Sequence, residues 1–283
     1  MNKSRLLDRP PVSRSLREYA RGLAGGLMFS LPLLYTMEVW WTGFVADPLR
    51  LLLYVAATFV LLLGYNHYAG LHRDASWQEV VIDSVEEMGL GLMLSVAVLF
   101  LLGQLETDMH LYEVIGKVTV EAMTVAIGIS VGTAQLGGSD DREKGGAEAS
   151  AKEDVTFRGQ VAIAACGAML FAANVAPTEE IVMIATEARV PKILALALLS
   201  LILTGLILYY IEFTGSGRFA RASGFVSVLV GTVVTYAVAL MISAALLWFF
   251  GRFDEALITC VAQIVVLGLA GTLGASAGRL LLQ

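Results

Sequence analysis

Eight stretches of more than 20 mostly apolar residues run through this chain, and they leave few folds open to it. They cover approximately residues 22–42, 48–68, 79–103, 113–137, 159–185, 190–213, 222–250 and 255–279. About 20 consecutive apolar residues is the length at which an α-helix crosses the hydrocarbon core of a bilayer. Composition agrees: 57% of the residues are apolar and 16% charged, against about 25% charged in a soluble domain, and mean hydropathy is +0.73. The expectation is an all-α, polytopic transmembrane helical bundle of about eight spans with lipid on its outer face. The run at 113–137 is the weakest, because it holds Glu113, Lys117 and Glu121 among many Gly and Thr residues. It reads either as a full span or as a re-entrant or interfacial segment.

Orientation follows from Lys and Arg in the connecting segments. With the N-terminus inside, the inner segments carry fourteen basic residues and the outer loops five: Arg50, Lys117, Arg189, Lys192 and Arg252. Both termini are therefore expected in the cytoplasm, with the chain in a bacterial inner membrane. Residues 1–21 form a basic arm holding Lys3, Arg5, Arg9, Arg14, Arg17 and Arg21. Beside a first span such an arm reads as a retention signal, not as a nucleic-acid site. The first run ends in Trp40-Trp41, without small residues suited to cleavage, so it reads as a retained span. Cys166 and Cys260 lie in apolar runs and imply neither a disulfide framework nor a metal site.

Residues 138–158 form a cytoplasmic linker, charged and free of aromatics from Gly138 to Asp154, which cannot bury enough apolar surface to order itself. It separates a first four-span half, 22–137, from a second, 159–283. The halves share features at a near-constant offset. Thr36 and Glu38 recur as Thr178 and Glu180, 142 positions later, and Glu121 and Gly132 as Gln263 and Gly274. Ser95 and Gly103 recur as Ser243 and Gly251 at 148. An even number of spans per repeat would make the two halves parallel, related by an axis along the membrane normal. Runs 1 and 5 could then face each other.

Acidic groups inside spans cost about 2.5–3.5 kcal/mol at a helix centre, so they normally mark a functional interior. The run at 171–185 holds Asn174, Pro177, Thr178, Glu179 and Glu180. Pro177 removes one backbone donor and obstructs the carbonyl near position 173, and broken helices of this kind build ion or substrate sites. Alternatively, the Pro-Thr pair opens a helix whose first turn holds both glutamates. Glu38 follows Pro32 in the first run and is either a site residue or an interfacial one. Glu79, Asp83, Glu86 and Glu87 share a face of the third run, Asp83 and Glu87 deepest; they line an inner exit or belong to a solvated extension. Glu121 reads as interfacial, with an intramembrane role as the alternative. The steps Gly128–Gly132 and Gly274–Gly278 read as helix-packing contacts.

No HExxH helix, Walker A loop or GxSxG elbow is present, so no enzyme activity and no cofactor is expected. The run NVAPTEEIVMIA, with a Glu-bearing first span and an acidic third span, resembles a family of bacterial integral membrane proteins of unknown function over most of its length. The resemblance implies a membrane protein and adds no substrate; the first-half counterpart, PLLYTMEVW, lacks the second Glu. The functional expectation is a cation channel or transporter, with coupling to protons a natural extension. Glu38, Glu179 and Glu180 would form an outer site with Asn174 and Thr178 adding neutral oxygens, as hard cations prefer. Asp83 and Glu87 would line the exit, and Glu121 would add an outer-half carboxylate. The alternative is a membrane scaffold or sensor subunit that binds a protein partner and pairs its acids with residues such as Arg158 or Arg73. The sequence leaves the oligomeric state open, a homo-oligomer included.

Overall fold

A computed structural model describes residues 12–70, 76–106, 108–135, 156–215, 225–253 and 255–280. Residues 1–11 with the start of the basic arm, His72, Arg73, the charged part of the linker, Arg218 and Arg221 lie outside the described residues. The described chain is helical, with no strand. In order the helices are α1 (Val12–Leu34), α2 (Met37–Val45), α3 (Pro48–Ala69), α4 (Trp77–Leu101), α5 (Leu111–Gln135), α6 (Phe157–Ala173), α7 (Glu179–Glu187), α8 (Val190–Gly215), α9 (Phe225–Phe249) and α10 (Leu257–Leu280).

Six of these are long and apolar enough to cross a membrane: α3, α4, α5, α8, α9 and α10. The pair α1 and α2 would make a seventh, bent by 85°, and α6 is apolar but only 17 residues long. The two runs that contain an internal proline are each divided into two helices. Pro32 lies in the last turn of α1, where it cannot donate to the carbonyl four residues back. Two residues later the helix ends in a turn, Thr36 N–H donating to Leu33 O at 2.9 Å. The backbone is extended at Thr36 (φ −99°, ψ 112°) before α2 starts. In the other run α6 stops at Ala173, four residues before Pro177, where the proline ring would meet the helical carbonyl. A tight turn follows, and Thr178 (φ −73°, ψ 149°) opens α7.

The remaining helix starts follow ordinary capping chemistry. The Asp47 carboxylate accepts from Leu49 N–H at 2.8 Å, with Pro48 in the first turn of α3, where a missing N–H costs nothing. Ser76 and Glu79 form a reciprocal capping box at α4, which gives Glu79 a structural duty. Gly103 (φ 70°) and Gly251 (φ 69°) end α4 and α9 in the left-handed conformation that glycine adopts without penalty.

The helix at 111–135 is continuous and central, which settles its ambiguity in favour of a full-length helix. Of its apolar stretch 83% is buried inside the protein, against 11% for α8. Glycine makes this possible. Gly25 of α1 meets Gly132 of α5 backbone to backbone, and Gly26 meets Gly128. In the second half Gly167 of α6 meets Gly274 of α10, with Gly278 against Ile163. A Cβ at any of the glycines in the Gly25–Gly132 or Gly167–Gly274 contacts would strike the facing helix. Such small-residue crossings are how helices approach closely in lipid.

The two halves join chiefly through α3 and α6. Tyr54 of α3 stacks on Phe249 of α9 at 4.2 Å between ring centroids, and Cys166 Sγ of α6 faces Leu61 O of α3 at 3.5 Å. We call the end holding α2, α7 and the α4–α5 connection the break end, and the opposite one the linker end.

Candidate functional site

The polar groups of the described chain fall into three clusters, and their positions differ from the sequence expectation in instructive ways. At the break end, the Asn174 side chain ties the two interrupted helices together. Leu33 N–H of α1 donates to Asn174 Oδ1 at 2.9 Å, and Asn174 Nδ2 donates to Phe29 O at 3.0 Å and also to Leu170 O. Leu33 N–H and Phe29 C=O are the pair that a regular helix would join directly; the carboxamide serves both across the interface between the halves. Runs 1 and 5 therefore do meet at their breaks. The Thr178 hydroxyl donates to Val175 O at 2.9 Å, as the Thr36 hydroxyl does to Pro32 O at 2.6 Å. Arg252 donates to Pro177 O. The neutral groups expected to ligate an ion are instead engaged in securing broken backbone.

The acidic residues there lie on the rim. Glu179 and Glu180 are exposed in the first turn of α7, and Glu38 is half-buried in the first turn of α2. Carboxylates in a first turn are favoured by the helix dipole. Among the described residues no three His, Cys, Asp or Glu side chains come together as a group that could hold a metal ion, so the three-carboxylate outer site does not assemble. The cleft between the halves, bounded by Phe29, Tyr65, Val131, Ile163, Leu170 and Phe171, is almost wholly apolar.

At the linker end the picture is tighter. Asn66 of α3 donates through Nδ2 to Glu87 Oε2 of α4 at 2.7 Å and to Ser84 Oγ at 3.1 Å. Its Oδ1 accepts from Ser130 of α5 at 2.7 Å. Three helices thus meet in one buried network around a single amide. Glu86, one residue before Glu87, is exposed and accepts from the Tyr19 hydroxyl of α1. Asp83 is half-buried on the same helix.

Between these ends lies Glu121, enclosed by protein. It is 0% exposed. It stands ten residues into α5, about 15 Å along the axis at 1.5 Å per residue, which is half the thickness of a hydrocarbon core. Neither carboxylate oxygen makes a hydrogen bond of ordinary geometry, and the donor nearest to hand is the Trp40 indole N–H. The Trp40 indole of α2 and Tyr54 of α3 are its neighbours. The Trp40 N–H donates to Leu34 O at 3.2 Å, and the Tyr54 hydroxyl pairs with Thr124 Oγ1 at 3.0 Å. One turn toward the break end, Lys117 is 5% exposed. Its ammonium lies 3.0 Å from Glu113 and 5.7 Å from the centroid of the Phe44 ring, and donates to Gln104 O at 3.4 Å.

Asn66, Ser130, Tyr54, Thr124 and the burial of Lys117 went unread in the sequence. Each is one polar residue in an apolar run, and a signal was available. Tyr54, Thr58 and Asn66 share one face of α3 with Leu62, so asking which polar residues fall on the most buried stripe would have found them. Thr58 and Ser95 are also buried with no partner for their hydroxyls, which makes the interior between α3, α4 and α5 polar along much of its length. The matching stretch of the second half is polar but uncharged: Gln263 of α10 is 0% exposed, and its amide too lacks partners.

No curated protein and no solved structure matches the chain significantly. The family model described as "Putative integral membrane protein (DUF2391)" matches residues 18–282, and the chain belongs to this family of integral membrane proteins.

Proposed function

We propose that the chain moves a cation across the membrane, along the polar interior of its first half, with Glu121 as the intramembrane site. The observation that carries this reading is a fully buried carboxylate, without an ion-pair partner or a hydrogen bond of ordinary geometry, midway along the central helix. Such a group is costly in a bilayer and is expected to serve the species that crosses it. The Glu87–Asn66–Ser84–Ser130 network supports a second station at the linker end, with Asp83 and Glu86 beyond it. Glu38, Glu179 and Glu180 on the rim would raise the local cation concentration at the break end. The distribution of basic residues supports a cytoplasmic linker end, in a bacterial inner membrane.

A scaffold or sensor subunit is the second reading, and the exposure of Glu179 and Glu180 favours it, because rim acids suit a partner surface. It leaves Glu121 without a task. Reconstitution into liposomes separates the two. Transport predicts flux of a proton, sodium or potassium that Glu121→Gln removes and that Glu179→Gln leaves largely intact. Folded protein that passes none of these ions would transfer the case to the scaffold.

A further inference from the structure

Resting on the transport reading, we infer that the species carried is a proton, bound by Glu121, and that Lys117 leaves Glu113 for Glu121 when that proton departs. The surroundings of Glu121 suit a proton better than a metal ion. A hard cation wants about six or more oxygen ligands. Glu121 offers two oxygens, and its neighbours are an indole, which is a donor only, and a tyrosine hydroxyl already paired with Thr124. A proton needs one oxygen, and with the Trp40 indole the donor nearest to hand at least one is open to it.

A route toward the linker end can be read from hydroxyls, each able to donate and accept. Tyr54 and Thr124 are bonded to each other. Thr58, one turn further along α3, has a buried hydroxyl without a partner, a group that bridging water satisfies in polar interiors. Ser130 then joins Asn66 and Glu87. From the level of Glu121 to that of Ser130 is nine residues of α5, about 13.5 Å.

Lys117 shares a face of α5 with two acids. Glu113 and Glu121 stand four residues to either side of it on α5, and residues four apart share a helix face. In the arrangement seen, the ammonium holds Glu113 at 3.0 Å and Glu121 is left alone. That state is balanced when Glu121 is a neutral acid. When the O–H bond of Glu121 breaks, its proton passes to a neighbouring oxygen and the bonding pair stays on the carboxylate. The ammonium then moves to it with all its own protons, and Glu113, whose side chain is 29% exposed, is left facing water. No step leaves a buried charge uncompensated. Of the described groups on helices packed around α5, Tyr54 is the titratable one beside Glu121 and Trp40 the polar one; α1, α4 and α6 bring none that acts on it.

The test is proton flux into liposomes carrying a trapped pH dye, with sodium and potassium flux measured in parallel. Wild type should pass protons and neither metal ion. Lys117→Met should lower proton flux by roughly 100-fold, the scale of leaving a buried charge without its partner; Lys117→Arg should restore most of it, and Glu113→Gln, which leaves the ammonium only Glu121 to pair with, should lower flux as well. Infrared spectra supply a readout that folding alone does not move. A protonated-carboxyl band absent from Glu121→Gln should vanish on raising pH in wild type and persist to higher pH in Lys117→Met. Wild-type flux in Lys117→Met, or a band with the same pH response in both, overturns the exchange. Sodium or potassium flux without proton flux overturns the proton while leaving transport standing, and no flux of any of the three overturns transport itself.

Discussion

The two halves of the molecule have closely similar skeletons and unlike interiors. In each, a long helix breaks near a proline, a nine-residue helix follows, and three long helices complete the series. The glycine contacts correspond, Gly25–Gly132 with Gly167–Gly274, and both left-handed glycines end the equivalent helix. The side chains differ where charge is concerned. At offsets of 142 or 148, Glu121 stands against Gln263, Lys117 against Thr259, Glu87 against Thr235 and Asn66 against Leu208. Among the described residues, the second half packs without a buried ion. The ions of the first half are not a requirement of folding, and their cost in lipid calls for another reason to keep them.

That contrast can be broken or sharpened by substitution. Giving the second half a charge should hurt it most: Gln263→Glu places a carboxylate at a fully buried position where Thr259 replaces the neighbouring lysine. The expected loss is about 3 kcal/mol, read as a lowered melting temperature in detergent. An unchanged melting temperature would mean that either half tolerates charge, and the comparison would lose its force. The skeleton should be equally sensitive in both halves. Gly132→Leu and Gly274→Leu each force a side chain into a facing backbone, for about 3 kcal/mol, and a large difference between them would show that the crossings are not equivalent. Asn174→Ala removes the clamp on Phe29 O and Leu33 N–H and should cost about 2 kcal/mol, in the same melting assay. At the small end, Glu179→Gln with Glu180→Gln changes exposed first-turn residues and should stay within about 0.5 kcal/mol.

The sequence made parts of this legible for clear physical reasons. Long apolar runs report membrane helices because lipid permits little else, and Pro177 marked the end of α6 at Ala173 because a proline ring and a helical carbonyl cannot share that space. The Gly128–Gly132 and Gly274–Gly278 steps announced close crossings. The central helix was harder to read. A helix enclosed by protein on every side needs small residues and tolerates polar ones, and this is the composition that made 113–137 look like a poor span. The enclosure of Glu121 was not legible because it comes from α2 and α3, which are distant in sequence. Asn66 and Ser130, 64 residues apart, become a network only when three helices meet. Conversely, Glu179 and Glu180 drew notice as two acids in an apolar run, yet the chain had already turned out of that run before reaching them.

The central claim is that the charged half carries the function. The most direct measurement compares proton flux through liposomes containing Glu121→Gln with flux through those containing Gln263→Ala, each checked for native melting. The account predicts flux lost in the first and kept in the second. Equal loss in both, or flux surviving in Glu121→Gln, would contradict it.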